Sequence, residues 1–183
     1  MLLTVSDKRL VAKALKGNAD AWDKLIRRYE TRVYNFALRM TSNREDAMDL
    51  MQEVFLSVYR NLAGYAGKAE FASWLFAIAS RRAVDFYRRR KPTETLETEQ
   101  EACFDGDDSP LKQVVRKQTN RTLQTLLSRL DVQQRLVIEL KFFHDRTFDE
   151  MSETLGVSAN TLKTRFYTAL KKIKSMPEVA HAL

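Results

Sequence analysis

Apolar residues recur at three- and four-residue steps along most of this chain. From Ala19 to about Thr41 they are Trp22, Leu25, Ile26, Tyr29, Val33, Phe36, Ala37 and Met40, the spacing of one helical face. The pattern also predicts a short helix from Asp7 to about Lys16, ended by Gly17-Asn18. A third helix, from Arg44 to about Leu62, can be capped by Ser42 or Asn43 and ends at Gly64. A fourth, from about Phe71 to Arg90, is stopped by Pro92. Four amphipathic helices in roughly ninety residues predict a bundle near the lower limit for an independent core.

The period then fails. Residues 92–110 begin and end at proline and hold seven carboxylates without a cation. So few apolar groups cannot offset the entropy of ordering, which predicts a flexible linker. Helical punctuation returns further on. Thr147-Phe-Asp-Glu150 is a capping box for a helix through Leu155, Gly156 can supply a left-handed turn, and Ser158 can cap a helix from Ala159 to about Lys174. Leu162, Phe166, Ala169, Leu170 and Ile173 would face inward, leaving Asn160, Thr161, Lys163, Thr164, Arg165, Tyr167, Thr168 and Lys171 outward or flanking. That is the pattern of a helix-turn-helix whose second helix enters the major groove, with a generic helical hairpin as the plainer reading.

Two other helices carry chemistry on their polar sides. In the third, Ala47, Leu50, Met51, Val54, Val58 and Leu62 form a core stripe, while Asp46, Asp49, Glu53, Ser57 and Arg60 fall opposite. Support of the helix dipole accounts for Asp46 and Asp49 but hardly for Glu53; a docking face for a basic partner helix accounts for all three. The fourth helix interleaves Phe71, Trp74, Phe76, Phe86 and Tyr87 with Arg81, Arg82 and Arg88 to Lys91. Rings left exposed beside arginines suit single-stranded DNA, with bases stacking on aromatics and cations following the phosphates. The loop Gly64–Glu70 before it could hold an extruded base or be a plain connector.

Charge sharpens this division. Residues 1–91 hold 18 Lys/Arg against 10 Asp/Glu, net +8; residues 92–110 are −7; residues 111–183 hold 13 against 7, net +6. Two basic blocks with interleaved aromatics favour a polyanion partner. The lone Cys103 excludes an intrachain disulfide framework and a Cys-based zinc site, and His144 and His181 have no recognised metal spacing. No metal, cofactor or catalytic constellation is expected, and no membrane insertion; a cytoplasmic, non-enzymatic protein is predicted.

These residues together resemble the bacterial sigma factors of the extracytoplasmic-function (ECF) group, which keep only regions 2 and 4. Asp46-x-x-Asp49-Leu-x-Gln52-Glu53-Val-Phe55 resembles region 2.2. Phe71-x-x-Trp74-Leu75-x-x-Ile78-Ala79-x-Arg81 resembles region 2.3, and Asp85-x-x-Arg88-Arg89 the start of 2.4. Leu130, Arg135, Val137 and Leu140, with Phe148-x-Glu150-Met151 and Leu155-Gly156-Val157-Ser158-x-x-Thr161-Leu162-Lys163-x-Arg165, resemble region 4. Asp131 departs from the family's usual proline, but aspartate suits a helix N-terminus.

The resemblance implies an all-α chain of two small helical domains, region 2 (1–91) and a region 4 helix-turn-helix (115–183), joined by an acidic linker (92–114). It implies a promoter-specificity subunit that binds core RNA polymerase, through the β′ coiled-coil and the β flap, and promoter DNA, with an anti-sigma factor as a candidate regulator. Asp46, Asp49, Gln52, Glu53 and Phe55 would grip polymerase. Tyr65, Lys68, Phe71, Trp74, Arg81, Arg82, Asp85, Arg88 and Arg89 would engage and melt the −10 element. Ser158, Asn160, Thr161, Lys163, Thr164, Arg165 and Lys171 would read the −35 element. The alternative is a stand-alone dimeric helix-turn-helix regulator, in which the acidic face has no role.

Overall fold

A computed structural model describes residues 6–89 and 122–177. The expected linker lies outside these residues. Among the described residues every regular element is helical. The first unit comprises α1 (Asp7–Ala14), α2 (Ala19–Thr41), α3 (Arg44–Asn61), a 3-10 turn (Leu62–Gly64) and α4 (Phe71–Arg89). The second comprises a helical segment at 122–128, then α5 (Val132–Phe142), α6 (Phe148–Leu155) and α7 (Ala159–Lys174).

Side-chain caps set the helix starts. Asn18 accepts from the Ala21 amide at 2.8 Å. Asn43, not Ser42, caps α3, because Ser42 takes the left-handed conformation that closes α2. Asp131 accepts from the Gln134 amide at 2.9 Å, so the departure from proline still starts α5. α1 ends two residues earlier than its periodicity suggests, as Lys16 and Gly17 bond back to Lys13 and Ala14 in a tightened turn.

The capping box of α6 is complete: the Thr147 amide donates to Glu150 Oε2 at 2.7 Å, and the Glu150 amide to Thr147 Oγ1 at 3.2 Å. Hydrogen bonds from the Thr147 backbone and side chain hold the Glu150 carboxyl below its ordinary value. A depressed carboxyl contributes stability above its unfolded pKa and loses it as pH falls through the folded one. Thr147→Ala should therefore cost about 1 kcal/mol at neutral pH and less in acid, where the wild type has itself lost part of the box. Chemical denaturation at the two pH values checks this.

Val33, Phe36, Ala37, Leu50, Val54, Leu75 and Ala79 fill the first core, and Leu136, Met151, Leu162 and Ala169 the second. The two units also share a seam of α2 and α4 against α5 and α6. There Arg39 donates to both oxygens of Glu139 at 2.7 Å, and the Glu139 side chain is wholly buried. His144 Nε2 lies 3.2 Å from the same carboxylate, with its ring against Phe76. Arg135 reaches the Met40 carbonyl and the Tyr87 hydroxyl, and Tyr87 itself donates to Met40 O at 2.7 Å. Burial lowers the Arg135 pKa from its usual value, partly offset by Tyr87.

Candidate nucleic-acid interface and partner face

The outer face of α3 combines acid and exposed apolar area. Ala47, Leu50, Val54 and Val58 anchor the helix in the core, which turns Asp49 and Gln52 outward. Asp46, Glu53 and Phe55 are half-buried along the same helix. Met48, Leu56 (55 % exposed) and Tyr59 (62 % exposed) stand beside the carboxylates. Pattern reading did not single these three out, although each lies off the core stripe. Large exposed apolar groups among charges mark a protein-binding surface better than charge alone. Two expectations need correction. Ser57 does not share the polar face: it is buried under α4, where its hydroxyl accepts from Arg82 Nε at 3.2 Å. Glu53 is engaged within the chain, accepting from Arg89 Nη2 at 2.6 and 2.8 Å.

Between the end of α3 and α4 lies an open pocket of about 350 Å³. Ser57, Asn61 and Gly64 form one wall; Trp74, Ile78, Arg81, Arg82 and Asp85 form the other. Such a volume exceeds a single nucleobase. The walls offer an aromatic ring, cationic donors and a carboxylate, the chemistry that stacks and hydrogen-bonds an unpaired base. Trp74 and Ile78 are half-buried, packed on the core with one side left at the pocket. Phe71, expected to engage the −10 element, needs correction. It is 2 % exposed and packs against Tyr29 and Tyr65, so its ring belongs to the core rather than to an open surface. Burial, then the hydrogen bond to Asp7, raises the Tyr29 pKa, keeping the phenol neutral. Tyr65 fixes the loop: its hydroxyl donates to Ala69 O at 2.6 Å and its ring tilts on Trp74 at 5.2 Å. Gly67 has φ +68°, which suits glycine. Lys68 is exposed.

Arg88 and Arg89 are exposed at the end of α4, paired with Asp85 at 3.2 Å and with Glu53. Surface pairs of this kind contribute about 0–1 kcal/mol, so phosphate can replace the carboxylate. Arg81, expected to be available to DNA, donates to Thr154 O of α6 at 3.1 Å.

In the second unit, Gly156 at φ +67° makes the turn and Ser158 accepts from the Thr161 amide at 3.2 Å. Leu162, Phe166 and Ala169 bury one side of α7. Asn160, Thr161, Lys163, Thr164, Tyr167, Thr168 and Lys171 are exposed on the other. Arg165 is half-buried and donates to Gln133 of α5 at 3.0 Å, leaving further guanidinium donors for a ligand. Ser158 acts first as the cap that holds the helix N-terminus, the part that meets base edges in this motif.

Family comparison agrees with both units. The sigma-70 region 2 model matches residues 25–93, and the sigma-70 region 4 model matches residues 120–173. The chain belongs to the sigma-70 family, the promoter-specificity subunits that bind core RNA polymerase and promoter DNA. Within that family it is a sigma factor of the extracytoplasmic-function group. It is 28 % identical over 177 residues to the ECF RNA polymerase sigma factor SigW of Bacillus subtilis, across 91 % of this chain and 94 % of that protein. It is 25 % identical over 182 residues to the RNA polymerase sigma-H factor of Pseudomonas aeruginosa, across 94 % of each. Its fold resembles that of CnrH, solved in complex with the cytosolic domain of CnrY, with a TM-score of 0.64 at 24 % identity over 92 % of this chain and 95 % of that one. The dimeric regulator is not favoured, since it gives the region 2 match no role. No described helix is long and apolar enough to cross a membrane.

Proposed function

We propose that residues 1–91 grip core polymerase with α3 and open the −10 element with α4, while residues 115–183 read the −35 element with α7. The observation that carries this reading is the pocket between α3 and α4. It sits beside the exposed cations of α4, on the same unit as the acidic and apolar stripe of α3. One small bundle thereby offers a face for a basic protein helix and a receptor for an unpaired base. Asp49, Gln52 and Glu53 supply the charge complement, and Leu56 and Tyr59 supply buried area on docking. Trp74 and Arg82 meet the base, and Lys68, Arg88 and Arg89 meet phosphates. The subunit carries no catalytic step; polymerase does the chemistry.

The recognition helix gives a separable test. Losing a base-edge contact should cost about 1–3 kcal/mol and relax specificity at that base pair, whereas losing a phosphate contact weakens all sequences alike. Lys163→Ala and Arg165→Ala should weaken binding of polymerase carrying this subunit to −35 duplexes. Arg165→Ala should act more on specificity, because its bond to Gln133 gives the guanidinium a fixed direction. Titration of duplex variants at moderate salt checks both; wild-type binding by both variants removes α7 as the reader.

A further inference from the structure

We infer that α1 takes part in base capture from outside the pocket: Asp7, acting through Tyr29 and a cluster of aromatic rings, holds Trp74 in place at the pocket wall. Asp7 and Tyr29 are positioning residues. The inference rests on the assignment of the pocket to an unpaired −10 base, and gives the short first helix a role in it.

The device starts from a carboxylate with distant partners. Asp7 opens α1, and Ser6 before it makes no side-chain cap. An acid in a first turn supports the helix dipole from where it stands. This one also reaches α2, accepting from Arg28 and from the Tyr29 hydroxyl, 21 and 22 positions away. Tyr29 is 4 % exposed, and its neutral phenol keeps its proton, so the hydroxyl requires an acceptor in the interior. Asp7 supplies that acceptor. The Arg32 guanidinium lies 5.6 Å from the centre of the same ring.

From Tyr29 the contacts run to the pocket without a gap. The Tyr29 ring meets Phe71 edge-on at 5.4 Å. Phe71, at the start of α4, meets Tyr65 at 5.6 Å and Trp74 at 5.7 Å. Tyr65 closes the triangle on Trp74 at 5.2 Å, and its hydroxyl fastens the loop to Ala69 O. Burial first, and the charge of Asp7 second, raise the Tyr65 pKa, so the start of α1 lies close enough to act on the loop. Trp74 thus rests on two rings and leaves one side to the pocket, beside Ile78 and Arg82. Close-packed rings have little slack to absorb a shift. Losing the acceptor leaves a buried hydroxyl unpaired, which costs more than the bond contributed. Tyr29 must then move to recover a partner, and the displacement passes through Phe71 to the indole. A stacking surface serves a base only in the geometry that meets it, so base capture falls while the fold stands.

The test uses the full chain with Trp22→Phe, which leaves Trp74 as its one tryptophan. Emission is read in the free subunit, and opening in complex with core polymerase on a promoter that the unsubstituted chain opens. Asp7→Ala should shift the Trp74 emission and lower permanganate reactivity of the opened thymines roughly tenfold. Polymerase capture and helix content should stay near wild type. Asp7→Asn keeps an oxygen acceptor for the phenol and loses only the charge, so it should retain both emission and opening. Asp7→Ala with Tyr29→Phe should recover both, because no hydroxyl then needs a partner, although the Arg28 pair and the dipole support remain lost. A role for Asp7 confined to the stability of α1 gives no such rescue. Failure of the rescue would overturn the inference, as would unaltered emission or unaltered opening in Asp7→Ala. Normal opening by Trp74→Ala would instead overturn the pocket assignment beneath it, while the emission of the free variants still decides whether Asp7 positions Trp74.

Discussion

Asp49→Arg with Glu53→Arg is expected to abolish capture of core RNA polymerase while leaving the helices intact. Both side chains lie outside the α3 core stripe, which Leu50, Val54 and Val58 fill, so reversal of charge reaches the partner rather than the fold. Attraction to a basic helix becomes repulsion, and close like charges across an interface cost several kcal/mol. The Glu53–Arg89 pair adds one condition. Glu53→Arg places two cations together at the end of α4, a surface effect of about 0–1 kcal/mol on stability. Asp49→Arg alone avoids that contact and should still weaken capture. Pull-down of core polymerase, with circular dichroism as the control for folding, decides the matter. Unchanged affinity in the double variant would remove α3 as the docking face.

Arg88→Ala with Arg89→Ala should leave polymerase binding near wild type but impair opening of the −10 duplex. The structure explains the separation. Arg89 neutralises Glu53 on the docking helix, so its removal leaves that face more acidic, not less. What is lost is two exposed cations beside the base pocket. Each phosphate contact removed lowers affinity and reduces the salt slope by about one. Shortening the loop Gly64–Glu70 should fail for a different reason: it removes the Tyr65–Ala69 bond and the Tyr65 ring from Trp74, so the pocket loses its wall. Permanganate reactivity of thymines near the start site reports opening. An artificially pre-melted −10 template that restores the loop variant places its defect in melting; no restoration places it in base capture. Normal reactivity of both variants on duplex promoter would sink the assignment.

Most of the helical framework was legible locally. The periodic apolar faces of α2 and α3, the capping box at Thr147–Glu150 and the Gly156 turn each act within a few residues, so their signal sits in adjacent letters. Local chemistry also left choices open. Ser42 and Asn43 are both good caps, and only the left-handed turn closing α2 assigned the role to Asn43. Phe71 and Trp74 share a helix and a hydrophobicity, yet packing against Tyr29 buried the first and the end of α3 left the second at a pocket. Ser57 shares the helical spacing of Glu53 and Arg60, but α4 crosses above it.

The seam had no local signature at all. Arg135 and Glu139 interrupt the apolar positions of α5, and in sequence two charges on a short helix read as surface residues. Glu139 finds its partner 100 positions away on α2. A long-range ion pair leaves no trace in periodicity, since the energy that places it arises only when two separately formed helices exclude water from between them. Helix boundaries and amphipathic faces follow from short-range bonds and spacing; which charged side chains are buried, and against what, is decided when the helices meet.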